Sequence, residues 1–331
     1  MAKRRVTVLG DGGWGTCLAV LLSAQGHRVT LWGAFADYVA EMRRTRENGK
    51  FLPGVPLPEA IHLTADLAEA WELCEAIVVA VPSQYLRSVL RRCSAGPWDK
   101  TLVISVVKGI DSESLQRMSE LIGQSVPVRR LAVLSGPSIS YEVARGVPTT
   151  VVAASKDAAA ARETQELFTT DLFRVYTSSD VAGVELGGAL KNVIAIAGGA
   201  ADGLGFGTNT KAALATRGLA EMARLGKAMG ADERTFFGLS GLGDLITTCF
   251  SPHSRNRRVG EEIGRGKSLA EATGGMRQVA EGVTTAKSAY ELSRKHRVEM
   301  PIVSAVHRVL FEGKPARETV RDLMLREPKP E

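Results

Sequence analysis

Short apolar runs rich in β-branched residues punctuate the first half of the chain. Arg5 to Leu9 and Arg28 to Trp32 are predicted as strands, and between them Leu18, Leu21 and Leu22 share one face of a helix predicted over residues 15–25. Residues 76–81 and 102–107 are almost continuously apolar, as expected for parallel strands covered on both faces. Shorter runs follow at 131–134 and 150–153. Strand and helix periods alternate, which predicts an α/β fold built on a doubly wound, mainly parallel sheet. Near Asp180 the pattern changes. Ala- and Leu-rich segments with helical spacing take over at 184–201, 211–229, 278–295 and 302–312, separated by glycine-containing connections. Two domains are expected, residues 1–180 and an all-helical 181–331. The total of 331 residues exceeds what one ordinary core organises.

Composition narrows the function classes. Lys and Arg number 42 against 36 Asp and Glu, a net charge of +6 spread along the chain. There is no long basic tract and no interleaved aromatic series, so no nucleic-acid partner is expected, whereas a small anionic substrate fits the excess. Cys17, Cys74, Cys93 and Cys249 form no CxxC pair and have no histidine at ligand spacing. No metal site is expected, and reduced thiols suit a cytoplasmic protein. The basic start Met1–Arg5 precedes an apolar run that ends at Gly10, so no signal peptide is read there. No apolar stretch is read as long enough to span a bilayer.

The most specific local pattern is Gly10-Asp-Gly12-Gly13-Trp14-Gly15, which follows a strand and opens a helix. In a Rossmann-type domain Gly10 serves the tight turn, Gly12 lets the backbone approach a pyrophosphate, and Gly15 lets helix and strand pack closely. The helix N-terminus then faces phosphate with free N–H groups. A glycine-rich turn without a ligand is the bland alternative. The second strand ends in Trp32-Gly33-Ala34-Phe35, without the acid that commonly binds ribose hydroxyls, and the first acid is Asp37. Arg43, Arg44 and Arg46 lie further on, where they read as a solvated helix face. NAD and NADP both stay open. Val81-Pro82-Ser83 reads equally as a strand end or a cofactor contact.

Four further segments carry chemistry. Lys108 ends an apolar strand, where open α/β sheets bind ligands, although a surface lysine is the alternative. Ser135-Gly136-Pro137-Ser138 ends the next and is either a turn or a close backbone approach to ligand. In the helix from Glu185, Lys191 sits beside the core stripe, and its helical neighbours Gly187, Ala195 and Gly198 are all small. Each mid-helix glycine costs roughly 1 kcal/mol relative to alanine. The face is therefore either a groove exposing one amine or close helix–sheet packing with Lys191 snorkelling outward. Ser254-Arg255-Asn256 suits a phosphate, with a basic helix surface as the plain alternative.

Seven collinear motifs together resemble one family. They are Gly10-Asp-Gly-Gly-Trp-Gly-Thr16, Asn48-Gly-Lys-Phe-Leu-Pro-Gly54, Lys108-Gly-Ile110, Ser135-Gly-Pro-Ser138, Glu185-Leu-Gly-Gly-Ala-Leu-Lys-Asn192, Gly238-Leu-Ser-Gly-Leu-Gly-Asp244 and Ser254-Arg-Asn256. From about Val6 to Leu323 the chain resembles the bacterial NAD(P)-dependent glycerol-3-phosphate dehydrogenases. The resemblance implies that Lys191 transfers the proton. It also implies that Lys108, Gly136, Ser138, Asp244, Ser254, Arg255 and Asn256 surround the substrate and its phosphate. Cofactor contacts are implied for Gly13, Trp14, Ser140, Val279 and Glu281, with Lys108 and Arg255 near both ligands. A homodimer in the cytoplasm, supplying glycerol 3-phosphate for phospholipid synthesis, is implied as well. Ala34 stands where many NADPH-using members carry Arg, and NAD or NADP is therefore expected. A lysine suits proton transfer when burial and nearby positive charge tune it, and Lys108 is the expected neighbour. The rival readings are a Rossmann-type β-hydroxyacid dehydrogenase and a non-catalytic dinucleotide sensor.

Overall fold

The structure, a computed structural model, describes residues 3–276, 278–328 and 330. Met1 and Ala2, which begin the basic N-terminal segment, lie outside the described residues. The chain divides into two compact units, Met1–Lys108 with Gln116–Glu185, and Gly109–Leu115 with Leu186–Glu331.

The first unit is built on eight strands: β1 (Arg5–Leu9), β2 (Arg28–Trp32), β3 (Ile61–Thr64), β4 (Ala76–Val79), β5 (Leu102–Ser105), β6 (Arg130–Ser135), β7 (Thr149–Ala154) and β8 (Phe173–Ser178). Their spatial order is β3-β2-β1-β4-β5-β6-β7-β8. All neighbours run parallel except β6 and β7. This is the doubly wound, mainly parallel Rossmann-type sheet that the sequence predicts. Successive residues of the central strands feed opposite cores: Val6, Val8, Val29, Leu31, Ala76 and Val78 pack into one, Leu9, Trp32, Ile77 and Val79 into the other. Double coverage explains why these strands read as unbroken apolar runs.

Six strands were legible; β3 and β8 were not. Both are edge strands. β8 buries only alternate residues, and β3 exposes His62 in a four-residue run. The strands expected over 76–81 and 102–107 stop earlier, at Val79 and Ser105. Pro82 instead precedes the helix Ser83–Arg92.

Leu186–Glu331 contains helices and turns and no strand among the described residues. Its long helices are Thr208–Ala228, Glu281–Lys295 and Pro301–Phe311, with Val181–Gly203 entering from the first unit. Short helices at Asp244–Phe250 and Ala316–Met324 were not foreseen, and Arg255–Gly264 is the helix implied by the plain alternative for the Ser254–Asn256 segment. Asp180 starts Val181–Gly203 by accepting the Gly183 amide at 2.9 Å.

One expectation is corrected. Val181–Gly203 is 23 residues long with a mean hydropathy of 1.3, which by length and composition is enough to cross a membrane. However, 83% of its apolar window is buried inside the protein, as befits a core helix. Its apolarity comes from Val, Leu and Ile that are largely buried in the core, while its glycines serve close packing. Backbone of neighbouring segments would collide with a Cβ at Gly187, Gly199 or Gly203.

Candidate active site

In the first unit the strand ends set the geometry. Leu9, Trp32 and Val79 are in register, so the chain leaves β1 between the ends of β2 and β4. Gly10 donates its amide to the Trp32 carbonyl at 2.9 Å and has φ +114°. A side chain there would be strained, and its Cβ would lie 2.7 Å from the Ala80 carbonyl oxygen. The helix starts two residues before the expected position, at Gly13, and runs to Ala24. Its N-cap is Gly12, with no side-chain cap and no acid in the first turn. The first amides of any helix lack intrahelical acceptors, so Gly13, Trp14 and Gly15 present N–H groups at the sheet edge. A Cβ on Gly12 would meet no atom within 4 Å, whereas one on Gly15 would collide with the Gly10 carbonyl. Gly13 and Ser140 come together: a Cβ on Gly13 would lie 3.5 Å from Ser140 Oγ.

Asn48 fixes this loop. Buried at the start of the Asn48–Gly54 segment, it donates at 2.7 Å to both the Asp11 carbonyl and Thr16 Oγ1, and accepts from the Phe51 amide at 3.0 Å. Nearby along the sheet edge, Lys108 Nζ and Ser138 Oγ both donate to the Gly136 carbonyl at 2.9 Å. These three residues, expected from two separate strand ends, thus converge. Glu185, which the sequence places only in a motif, is engaged by Arg117 at 2.5 Å and by the Ser119 amide and hydroxyl at 2.7 and 2.6 Å.

In the second unit Lys191 is buried at 6% exposure and Asp244 at 1%. Lys191 Nζ donates to Asp244 Oδ1 at 2.7 Å and to Thr248 Oγ1 at 2.6 Å. The glycine face of its helix is neither an open groove nor a snorkelling path. Gly187 packs against Ser240, in the π turn Leu239–Gly243 that leads into Asp244–Phe250. π turns inside helices recur at functional sites. That turn aims Asp244, and Thr248 one helical turn later, at the lysine. Within this unit the partner of Lys191 is thus a carboxylate, where a like charge was expected. Thr248 was missed, although its spacing of four from Asp244 signals a shared face. Removing one member of a buried ion pair leaves the other uncompensated. Asp244→Asn should therefore lower unfolding free energy by about 3 kcal/mol, as read by denaturant titration.

A second cluster involves Asn192, also absent from the expected site. Asn256 Nδ2 donates to Asn192 Oδ1 at 2.9 Å, and the Gly282 amide donates to Asn256 Oδ1 at 2.9 Å. Arg255 donates to the Val279 carbonyl at 2.9 Å. Ser254, Arg255, Asn256, Val279 and Glu281 are therefore gathered around two helix starts, Arg255–Gly264 and Glu281–Lys295. Ser254 serves as N-cap, its Oγ accepting from the Arg257 amide. The run is not simply a basic surface: Arg257 is committed to Asp202 at 2.7 Å, while Arg255 remains exposed.

All four cysteines are free. Burial pushes the thiols of Cys17 and Cys249 up to about 12 and that of Cys93 to about 11, which makes them packing groups.

Comparison with known proteins gives one consistent set of similarities. Residues 5–161 match the family described as NAD-dependent glycerol-3-phosphate dehydrogenase N-terminus, and residues 180–321 the corresponding C-terminus. The chain is 52% identical over 330 residues to glycerol-3-phosphate dehydrogenase [NAD(P)+] of Geobacter sp. (strain M21), covering 99% of this chain and 98% of that one. To the enzyme of the same description from Prosthecochloris aestuarii it is 50% identical, covering 98% and 99%. The crystal structure of glycerol-3-phosphate dehydrogenase from Coxiella burnetii superposes with a TM-score of 0.95 at 38% identity, covering 98% and 99%.

Proposed function

The chain belongs to the NAD-dependent glycerol-3-phosphate dehydrogenase family, and from that premise we propose that it interconverts dihydroxyacetone phosphate and sn-glycerol 3-phosphate by reversible hydride transfer with NAD(P)H. It is an oxidoreductase that uses NAD or NADP. The rival readings, a β-hydroxyacid dehydrogenase and a non-catalytic sensor, are not favoured by relatives that are glycerol-3-phosphate dehydrogenases along nearly their whole length.

The residues present fit a dinucleotide. A helix start capped by glycine, with free amides, no acid in its first turn and open space where a Gly12 side chain would stand, suits a pyrophosphate. We assign cofactor contacts to Gly10, Gly12, Gly13, Trp14, Gly15, Lys108, Ser140, Arg255, Val279 and Glu281. When bound, the nicotinamide supplies or accepts the hydride. The substrate carbonyl carbon gains that hydride in reduction, and its oxygen gains a proton from Lys191 Nζ; alcohol oxidation returns both.

The single observation carrying this assignment is the buried Lys191–Asp244–Thr248 arrangement. Asp244 gives the ammonium a counter-charge and Thr248 fixes its direction, so a proton is held at one atom. Lys108, Gly136, Ser138, Ser254, Arg255 and Asn256 are assigned to the substrate. A guanidinium beside amide and hydroxyl donors matches a phosphate, and holding it makes the reaction effectively unimolecular. We further assign the protein to the cytoplasm as a homodimer, in the synthesis of glycerophospholipids. Oxidation of NADH and NADPH with dihydroxyacetone phosphate tests the reaction directly; no consumption with either cofactor rejects it.

Arg255→Ala should raise KM for dihydroxyacetone phosphate by at least about tenfold, as expected for a lost charge-assisted contact. Activity on unphosphorylated dihydroxyacetone is the control. An equal loss on both substrates would remove Arg255 from the phosphate.

A further inference from the structure

The end of β2 lacks the acid that usually meets the adenosine ribose, yet a carboxylate stands there from another part of the chain. Asp11, inside the glycine loop, turns its side chain toward Gly33. A Cβ added at Gly33 would collide with Asp11 Oδ2 and lie 2.9 Å from Asp11 Cγ. The carboxylate thus fills the space that a side chain at the first position after β2 would take. Gly33 leaves that space open, and Asn48 and Thr16 hold the Asp11 carbonyl at 2.7 and 3.3 Å, which fixes the residue's direction.

Nothing in the fold employs Oδ2. It is shielded from solvent and has no hydrogen-bond partner among the described residues. Burial pushes the carboxyl above its ordinary range, opposed by its own backbone amide and by the charge of Lys50. A carboxylate oxygen held without a partner in this way is costly and adds nothing to stability by itself. Of the three arginines beyond β2, Arg43 and Arg46 are engaged elsewhere. Arg43 Nε donates to the Leu63 carbonyl at 2.6 Å. The Arg46 guanidinium reaches the carbonyls of Leu57, Pro58 and Ile61.

We propose that Asp11 is the cofactor-specificity residue of this enzyme, placing on the glycine loop the acid that β2 lacks, and that it favours NAD(H) over NADP(H). A ribose 2′-hydroxyl can donate to a carboxylate. A 2′-phosphate, with about −1.5 to −2 charges, cannot and is repelled. Both cofactors remain usable, because the adjoining Ala34 neither blocks nor repels. The proposal rests on the dinucleotide reading above.

The test is direct fluorescence titration of NADH and of NADPH into the wild-type protein, Asp11→Asn and Asp11→Ala. The asparagine variant keeps the shape and removes the charge. Wild type is expected to bind NADH more tightly. Both variants are expected to shift the NADH-to-NADPH affinity ratio toward NADPH by at least about tenfold, the scale of a charged hydrogen bond. The thermal midpoint of Asp11→Asn should stay close to wild type, since the amide keeps the shape and the oxygen that changes has no partner in the fold. A ratio unchanged in both variants, or a wild type that prefers NADPH, overturns the assignment. Because titration needs no substrate, the ratio stays measurable even if dihydroxyacetone phosphate is not reduced; that result would reject the reaction and not the role of Asp11.

Discussion

Lys191→Met lowers turnover by at least ~10²-fold, the lower end of what general acid–base catalysis contributes. Methionine is a good helix former of similar volume, so Val181–Gly203 persists. The structure adds a cost that helix propensity does not foresee. Asp244, at 1% exposure, loses its counter-charge, and removing one side of such a pair destabilises by about 3–5 kcal/mol. The double variant Lys191→Met/Asp244→Asn removes both charges. It is expected to recover stability relative to Lys191→Met but no activity, and this split separates structural from catalytic loss. Lys191→Arg is sharper. It keeps a positive charge for Asp244, yet guanidinium effectively never deprotonates and cannot cycle as acid and base. Near-wild-type turnover of Lys191→Arg in both directions would make Lys191 an electrostatic clamp, with Lys108 the next candidate for the proton.

The position of Lys191 shows where sequence reasoning stops. Its helical period, its small neighbours and its motif were all legible, because each is a local property of one helix. Its partner was not. Asp244 lies 53 residues away and reaches it only because Gly187 lets the π turn Leu239–Gly243 approach closely. The small residues announced a need for space in the sequence, but not its occupant, which is the backbone of that turn. The sheet follows the same rule. Strands buried on both faces announce themselves as apolar runs, whereas β8, with its alternate exposed residues, and the four-residue β3, which carries an exposed His62 and a polar Thr64, dilute the pattern until it resembles loop. Glu185 and Asn48 illustrate a third limit. A buried polar side chain is intelligible only through partners, such as Ser119 and Thr16, that the fold supplies.

Gly12→Val should weaken NADH binding by about two orders of magnitude, on the scale that small misplacements of a bound group cost, while the protein stays folded. The argument turns on what each glycine of the loop touches. Valine at Gly10 would meet a φ of +114° and the Ala80 carbonyl, and at Gly15 it would collide with the Gly10 carbonyl, so those variants damage the fold and reveal little about the ligand. Gly12 differs on both counts. Its φ of −66° and ψ of 172° are open to any residue, and an added Cβ meets no protein atom within 4 Å. Only something that comes to the helix start can object to a side chain there. Gly12→Ser is the complementary variant. Serine is a preferred N-cap where glycine now offers no side chain, so it should hold or raise stability, while its Cβ still obstructs the approach of a pyrophosphate. Stability and affinity then move in opposite directions, which no general loss of structure can mimic. Fluorescence titration of NADH with a parallel thermal melt reads both quantities. Unchanged affinity in folded Gly12→Val would falsify the placement of the pyrophosphate at this helix.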